Sequence, residues 1–277
     1  TMSDYSPSNY VGKPIICTNP CAEVPLEDGG ACNLGSINLS RFVKDGFTPE
    51  ASIDWDQLAE SSETLVRFLD NVVTWNEDLN ALPKQRQAAS ETRRLGLGVM
   101  GIADMLNQLG VAYDSEQGTM MIEKVMEYIT NASYQASSFI AKEKGASSIF
   151  DEKAYMECPF VKEALSEQTH NMIKKNGLRN IAIMSIAPTG SISNIVLGYK
   201  SEEKNYIGVS GGVEPIFSTF YTRRSESFGN KMFKVFHSTI QAYIDKMGIQ
   251  EDVDKAEDVD EVLPEFLTRT AHKIDSV

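Results

Sequence analysis

The sequence has few cysteines and histidines, and it lacks the spacings that bind metal. Its 277 residues include four cysteines, Cys17, Cys21, Cys32 and Cys158, and three histidines that lie far apart. No CxxC pair is present, so a zinc site is not expected. Four thiols fit a cytoplasmic protein with a few functional thiols better than they fit a disulfide scaffold.

Long apolar runs and an excess of basic charge are also absent. No run of about 18 or more apolar residues could span a bilayer, and no segment resembles a signal peptide. The formal net charge is −13. Such a surface repels nucleic acid, so a bound nucleotide must be held by local donors. We therefore expect no membrane and no nucleic acid as partners, and we interpret the acidic run 251–262 as a solvated helix face or loop.

The hydrophobic pattern predicts helices interleaved with short strands, which is the α/β class. Apolar residues at helical spacing mark several segments, and Gly96, Gly98 and Gly101 within 93–110 indicate a helix that another backbone approaches closely. The predicted helices cover 55–80, 93–110 and 230–247. A further long helix is predicted between a cap at Asp114 or Ser115 and its end at Gly145. Residues 1–40 are predicted to be loop and short extended pieces.

A short apolar run at 181–186 predicts a buried strand, which stops at Pro188 and is followed by Thr-Gly-Ser-Ile-Ser. A strand that leads into a turn of Gly, Ser and Thr is a frequent phosphate-binding arrangement. Such a turn is also common for purely structural reasons. Residues 211–224 are predicted to form a turn and a strand.

The stretch "TNPCAE" (18–23) places an amide, a thiol and a carboxylate at alternate positions, Asn19, Cys21 and Glu23. In an extended segment these side chains would share one face. They would form a reactive group if the loop is buried and an ordinary polar loop if it is not. Cys21 could also be a small buried hydrophobe.

Four separated segments together closely resemble the large catalytic subunit of ribonucleotide reductase, in order and over nearly the entire chain. They are "NPCAEVPLEDGGACNLGSINLSRFV" (19–43), "RRLGLGVMGIADML" (93–106), "RNIAIMSIAPTGSISNI" (179–195) and "GVEPIFSTFYTRR" (212–224). The resemblance implies a helix-rich part of a ten-stranded α/β barrel, whose catalytic cysteine sits on a central finger loop. Residues 1–43 would be the catalytic loop region, and 44–277 the second barrel half.

The resemblance assigns roles to the residues of the loop. Cys21 would become a thiyl radical that takes a hydrogen atom from C3′ of the ribose. Glu23 would act as general base on the 3′-hydroxyl, and Asn19 would orient the sugar. Cys32 would be one half of a redox pair whose partner has no match here. We interpret Cys17 as structural and Cys158 as a packing residue or surface thiol.

The resemblance also identifies a loop for the substrate phosphates, with neutral donors from main chain and hydroxyl groups. Its residues are Ala187, Pro188, Thr189, Gly190, Ser191, Ile192 and Ser193.

The expected substrate is a ribonucleotide, the expected product serves deoxyribonucleotide synthesis for DNA replication, and the expected reductant is a dithiol such as thioredoxin. The short gap between Cys21 and Cys32 looks most like the adenosylcobalamin-dependent class. One alternative takes its radical from a separate metal-containing subunit. Another is a non-catalytic barrel half that only assembles. We expect oligomers, and complementary N-terminal and C-terminal segments or chains without which the chain is inactive.

Overall fold

A computed structural model describes residues 2–200, 205–225, 229 and 231–274 of the chain. The chain divides into two compact units. The first unit comprises Thr1–Ile37, Trp55–Val99 and Glu123–Pro188, and the second comprises Asn38–Asp54, Met100–Ile122 and Thr189–Val277. Within the described ranges, no helix is long and apolar enough to cross a membrane.

Helices dominate the secondary structure, as the sequence pattern predicts. In chain order they are α1 (Met2–Tyr5), α2 (Pro7–Tyr10), α3 (Trp55–Leu79), α4 (Pro83–Thr92), α5 (Ile102–Gln108), α6 (Glu116–Lys144), α7 (Glu152–Tyr155), α8 (Pro159–Ala164), α9 (Glu167–Asn176), α10 (Gly190–Ser193), α11 (Ser238–Met247), α12 (Gln250–Lys255), α13 (Glu265–Thr268) and α14 (Ala271–Ile274). Short 3-10 helices cover Leu39–Arg41 and Val259–Glu261.

The strands are short and pair in twos. They are β1 (Cys17–Thr18), β2 (Pro25–Leu26), β3 (Asn33–Asn38), β4 (Val43–Lys44), β5 (Ser52–Ile53), β6 (Leu95–Met100), β7 (Tyr199–Lys200), β8 (Asn205–Tyr206), β9 (Phe220–Ser225) and β10 (Lys231–Phe236). The pairs are β1 with β2, β3 with β6, β4 with β5, β7 with β8 and β9 with β10. Among the described residues the sheets are two-stranded and none closes on itself.

Two predicted helices have the expected bounds. The first, α3, covers Trp55–Leu79. The second, α6, is preceded by Ser115, whose Oγ accepts a hydrogen bond from the main-chain N–H of Gly118 at 3.0 Å. It is followed by Gly145 in the left-handed region at φ 89°, as expected for a helix that ends on glycine.

The prediction of a helix over 93–110 is wrong in its first half. Residues Leu95–Met100 form the strand β6, which is buried along its whole length, and helix begins only at Ile102. The apolar residues fit both a helical and an alternating period, so the backbone contact decides between them. A Cβ atom on Gly98 would lie 2.2 Å from the main-chain oxygen of Ser185. The expected close approach of another backbone is therefore present, but it is made to a strand.

The segment 181–186 lies beside β6 in the same direction. Leu97 donates its N–H to the carbonyl of Ile183, Ser185 donates to the carbonyl of Leu97, both at 2.8 Å, and Leu97 and Met184 form a parallel bridge. Ile181 and Ile183 are fully buried. The predicted buried extended segment is thus confirmed, although it forms one bridge instead of a continuous strand.

The predicted helix over 230–247 is also divided. Residues Lys231–Phe236 form β10, which pairs antiparallel with β9 so that Phe236 faces Phe220, and the helix α11 begins at Ser238. The main-chain bonds to β9 and the contact between those two rings, 5.7 Å apart, favour a strand here. The strand predicted within 211–224 is confirmed as β9. Its partner β10 was missed because its apolar residues also fit a helical stripe.

The core of the second unit lies under α11 and the acidic segment. Val253 and Val259 are buried in it with Ile240, Ile244 and Leu267. The acidic side chains between them point outward for the most part, which confirms the interpretation of 251–262 as a solvated helix face and loop.

Candidate active site

The loop of Asn19, Cys21 and Glu23 is the tight end of a hairpin in the first unit. β1 and β2 pair antiparallel, with Cys17 opposite Leu26. Asn19 donates its N–H to the carbonyl of Val24 at 3.2 Å, and its side-chain Oδ1 accepts the N–H of Val24 at 2.9 Å. The chain therefore reverses between these two residues. The expectation of an extended segment that places the three side chains on one face is wrong.

A left-handed residue separates the thiol from the carboxylate. Ala22 has φ 63°, a region that costs a residue with a Cβ atom about 1–2 kcal/mol. It also donates its N–H to the carbonyl of Asn19 at 3.0 Å. The Cys21 thiol is exposed, so the alternative of a small buried hydrophobe does not hold. The loop as a whole is largely exposed, which is the condition stated above for an ordinary polar loop.

Glu23 is only partly covered, but its carboxylate reaches into the unit. Its Oε2 is buried and has no hydrogen-bond partner among the described residues. Its main-chain carbonyl accepts a hydrogen bond from Ser185 Oγ at 2.9 Å. Glu23 lines a cavity of about 350 Å³ together with Arg94, Tyr134 and Ser185. A carboxylate oxygen without a protein partner at a cavity wall is suited to accept a proton from a bound molecule.

Cys32 lies just before β3 and is half-buried. Burial raises the pKa of its thiol to about 12, the Arg94 guanidinium acts in the opposite direction, and the carboxylates of Glu23 and Glu27 raise it further. A Cβ atom on Gly96 would come within 2.8 Å of the Cys32 sulfur, so glycine leaves the space that the sulfur fills. Cys32 is therefore a neutral thiol at neutral pH, and the charge of Glu23 contributes to the raised pKa.

Arg94 is a site residue that the sequence reasoning missed. It is buried, and its Nη2 donates to Glu27 Oε2 at 2.6 Å and to Ser8 Oγ at 3.1 Å. It lines the cavity of Glu23 and also a second cavity of about 260 Å³ that contains Cys32. The signal was an arginine immediately before an apolar run, since such a charge must find a buried partner.

The other two cysteines differ in environment. Cys158 is fully buried, and its Sγ lies 3.5 Å from the carbonyl of Tyr5. This confirms the packing interpretation over the surface one. Cys17 is exposed in β1, with its Sγ 3.8 Å from the carbonyl of Leu26.

The expected phosphate loop 187–193 runs from the end of the first unit into the second. Thr189 has φ 57° and caps the single-turn helix α10. Its carbonyl accepts the N–H of Ser193 at 2.9 Å, and the hydroxyl of Ser193 donates to the carbonyl of Gly190 at 2.7 Å. Gly190, Ser191 and Ile192 are exposed. The N–H groups of a first helical turn have no acceptor within the helix, so this loop offers neutral donors while Ser193 holds its shape.

Within the described part of the chain, no group of three or more His, Cys, Asp and Glu side chains is placed to hold a metal ion. The donors of the hairpin loop are one thiol, one amide and one carboxylate. Such a set is suited to acid–base and nucleophilic chemistry on a bound molecule.

Comparison with known proteins gives a consistent match. Residues 3–275 match the family described as "Ribonucleotide reductase, barrel domain". The vitamin B12-dependent ribonucleoside-diphosphate reductase of Mycobacterium tuberculosis is 37% identical over 209 residues, which are 76% of this chain and 25% of that protein. The corresponding enzyme of Thermoplasma acidophilum is 38% identical over 220 residues, 79% of this chain and 24% of that protein.

A relative of another name is more distant. The ribonucleoside-diphosphate reductase subunit alpha of Chlamydia pneumoniae is 31% identical over 250 residues, 80% of this chain and 22% of that protein. The chain thus spans about a quarter of the length of the curated relatives it matches. The solved structure of the Actinobacillus ureae class Id ribonucleotide reductase alpha subunit has a similar fold, with a TM-score of 0.62 and 23% identity over 95% of this chain and 44% of that one.

Proposed function

Because the chain belongs to the ribonucleotide reductase barrel-domain family, we propose that it carries the catalytic loop of a reductase that converts ribonucleotides to 2′-deoxyribonucleotides. The observation that carries the proposal is the hairpin loop, which exposes the Cys21 thiol two residues from Glu23, whose buried carboxylate oxygen has no partner among the described residues. An exposed thiol can receive a radical from outside the chain, and the carboxylate can then accept a proton at the sugar.

Each loop residue has a separate task in this proposal. Cys21, as a thiyl radical, takes the hydrogen atom from C3′ and later returns one, since the S–H bond and the activated C–H bond are of comparable strength. Glu23 accepts the proton of the 3′-hydroxyl. Asn19 uses its side-chain oxygen to close the loop, which leaves its amide NH₂ to hydrogen-bond and orient the ribose.

The reduction needs two electrons, and the residues of the hairpin loop do not supply them. The C2′–O bond breaks and a C2′–H bond forms, the oxygen leaves as water, and a dithiol gives up two hydrogens and is oxidised to a disulfide. Cys32 is proposed as one thiol of the pair. The partner thiol of Cys32 has no match in this chain. The external dithiol, of the thioredoxin type, is a separate molecule.

The proposed architecture is part of a ten-stranded α/β barrel, with residues 1–43 as the catalytic loop region and 44–277 as the second barrel half. The family match and the similar fold of the Actinobacillus ureae subunit support it. Residues Ala187 to Ser193 are proposed to hold the substrate phosphates through neutral donors. Such donors suit a chain whose net charge is −13, because the charge itself repels an anion. The proposed assembly is an oligomer that includes complementary reductase segments or chains.

Adenosylcobalamin is the proposed radical source, since similar proteins from two organisms are named as vitamin B12-dependent. When bound, it supplies a radical by homolysis of its cobalt–carbon bond. The exposed Cys21 thiol fits an approach by a large cofactor from outside the loop. The cavity beside Glu23, about 350 Å³, has the size that takes a small molecule. This cavity is not assigned to the much larger corrin ring, and no residue of this chain is proposed to hold it.

The test is a turnover assay on the protein in its native assembly, with a ribonucleotide, an effector and a dithiol. Adenosylcobalamin alone is expected to give deoxyribonucleotide, measured by chromatography, without a metal-containing subunit. Product that appears only with a radical-generating partner protein would assign the chain to the other class. Product under neither condition would contradict the catalytic proposal and favour a barrel half that only assembles.

A further inference from the structure

Arg94 lies between the two proposed functional groups of the first unit. Its side chain lines the cavity of about 350 Å³ with Glu23, and it also lines the cavity of about 260 Å³ with Cys32. The residue is only 3% exposed. A buried guanidinium cannot lose its proton in a protein, so a permanent positive charge stands between the two sites.

The hydrogen bonds of the Arg94–Glu27 pair are incomplete among the described residues. Its Nη2 is bound to Glu27 Oε2 and Ser8 Oγ. Its Nε and the second carboxylate oxygen of Glu27 are buried without a partner among the described residues. Buried polar atoms are nearly always paired, and a buried ion pair that only stabilised the fold would be weak on balance. These atoms leave the pair with hydrogen-bonding capacity that the described residues do not use.

Three charges act on the Cys32 thiol. Arg94 favours the thiolate, and the carboxylates of Glu23 and Glu27 oppose it. The side chains that α3 and α4 present to the same cavity include the uncharged amides Asn76 and Gln85. Burial is the largest influence and favours the neutral thiol; among the charges, Arg94 opposes Glu23 and Glu27.

We propose that Arg94, held in place by Glu27, is a positioning residue that controls how readily the Cys32 thiol ionises. Thiol–disulfide exchange proceeds through the thiolate, so this control sets how fast Cys32 exchanges with a dithiol. The redox role of Cys32 rests on the proposed function. The control by Arg94 is a physical property of the fold, and it can be measured without turnover.

The test measures alkylation of Cys32 by iodoacetamide as a function of pH, in the fully reduced protein in its native assembly. Peptide mass spectrometry reads each cysteine separately, and the exposed Cys17 of the same molecules corrects for reagent. Below its pKa a thiol reacts in proportion to its thiolate fraction, so a pKa change of one unit is a tenfold change in rate. Arg94→Gln is expected to slow the labelling of Cys32 by about threefold or more, because the cation is lost.

Glu27→Gln should change the rate of Cys32 labelling in the opposite direction. It removes an anion, and the glutamine oxygen can still accept the hydrogen bond that holds Arg94, so labelling is expected to accelerate by about threefold or more. Arg94→Lys, which keeps the charge, is expected to stay within about twofold of wild type. A purely structural role would loosen the site and speed labelling in both Arg94→Gln and Glu27→Gln. That result, or an unchanged rate in Glu27→Gln, would overturn the proposal. If Arg94→Gln fails to fold, Arg94→Lys decides it, because loosening of the site would speed labelling in that variant, whereas a retained charge keeps the rate within about twofold of wild type. An inactive wild-type protein with opposite shifts in the two glutamine variants would contradict the proposed function alone.

Discussion

Ser185 donates a hydrogen bond from its Oγ to the main-chain carbonyl of Glu23, at 2.9 Å and across 162 residues of sequence. The bond ties the hairpin loop to the extended segment that pairs with β6. Gly98 on β6 makes this hydrogen bond possible, because only a glycine lets the Ser185 carbonyl lie so close to the β6 backbone. Glu23 is thus placed through its main chain, and its carboxylate stays free to face the cavity.

Loss of this bond should affect both stability and turnover. Ser185→Ala is expected to lower the free energy of unfolding by about 1 kcal/mol. It is also expected to lower kcat, by up to about 10²-fold if Glu23 moves by about 1 Å. Denaturant titration and a turnover assay on the same samples measure the two effects. Ser138→Ala is the matched control, since Ser138 is buried and donates to the carbonyl of Met172 at 3.0 Å. Equal loss of turnover in both variants would contradict the placing role of Ser185.

Gly98 should tolerate no side chain. In Gly98→Ala the new Cβ would lie 2.2 Å from a main-chain oxygen, so the 181–186 segment must move away from β6. We expect a loss of about 3 kcal/mol of unfolding free energy, at the upper end for overpacking, because backbone must shift. Gly211→Ala is the control, since the nearest atom to its added Cβ would be 3.9 Å away, and it should change stability by less than about 0.5 kcal/mol. Similar melting curves for Gly98→Ala and wild type would show that the strand is not held as described.

A buried ion pair of the first unit should be costly to break. Arg93 donates from Nε to Asp70 Oδ1 at 2.9 Å, and Asn180 donates to the same oxygen at 3.0 Å. Asp70→Ala removes the buried carboxylate and leaves the Arg93 guanidinium with Glu77, a more exposed partner at 2.8 Å. We therefore expect a loss of about 3 kcal/mol, measured by chemical unfolding. Glu251→Ala, which breaks the exposed pair with Lys255, should cost less than about 0.5 kcal/mol. A loss below about 1 kcal/mol in Asp70→Ala would mean that the network does not hold the unit together.

The sequence predicted the elements whose pattern has a single interpretation. The helix α3 and the capped helix α6 have long stripes and clear ends, and both were confirmed. The strand β6 was taken for a helix because Leu95, Val99 and Ile102 fit a helical stripe. What selects the strand is the approach of Ser185 to Gly98, a contact between residues far apart in the chain, which no local pattern contains.

The site was predictable only in part for the same reason. The loop of Asn19, Cys21 and Glu23 was found because its residues are adjacent in sequence, but its reversal depends on the bonds between Asn19 and Val24. Arg94 was missed because its partner Glu27 lies 67 positions earlier. A pairing of that separation becomes visible only when the fold brings the two charges together.

The central claim is that Cys21 carries the radical step, and one comparison tests it most directly. Cys21→Ala and the control Cys17→Ala alter two exposed thiols of the same hairpin, so their effects on folding should match. Turnover of ribonucleotide is measured for both in the native assembly, with mass spectrometry excluding wild-type protein. The account predicts no deoxyribonucleotide from Cys21→Ala and near wild-type turnover from Cys17→Ala. Appreciable turnover by Cys21→Ala would contradict it.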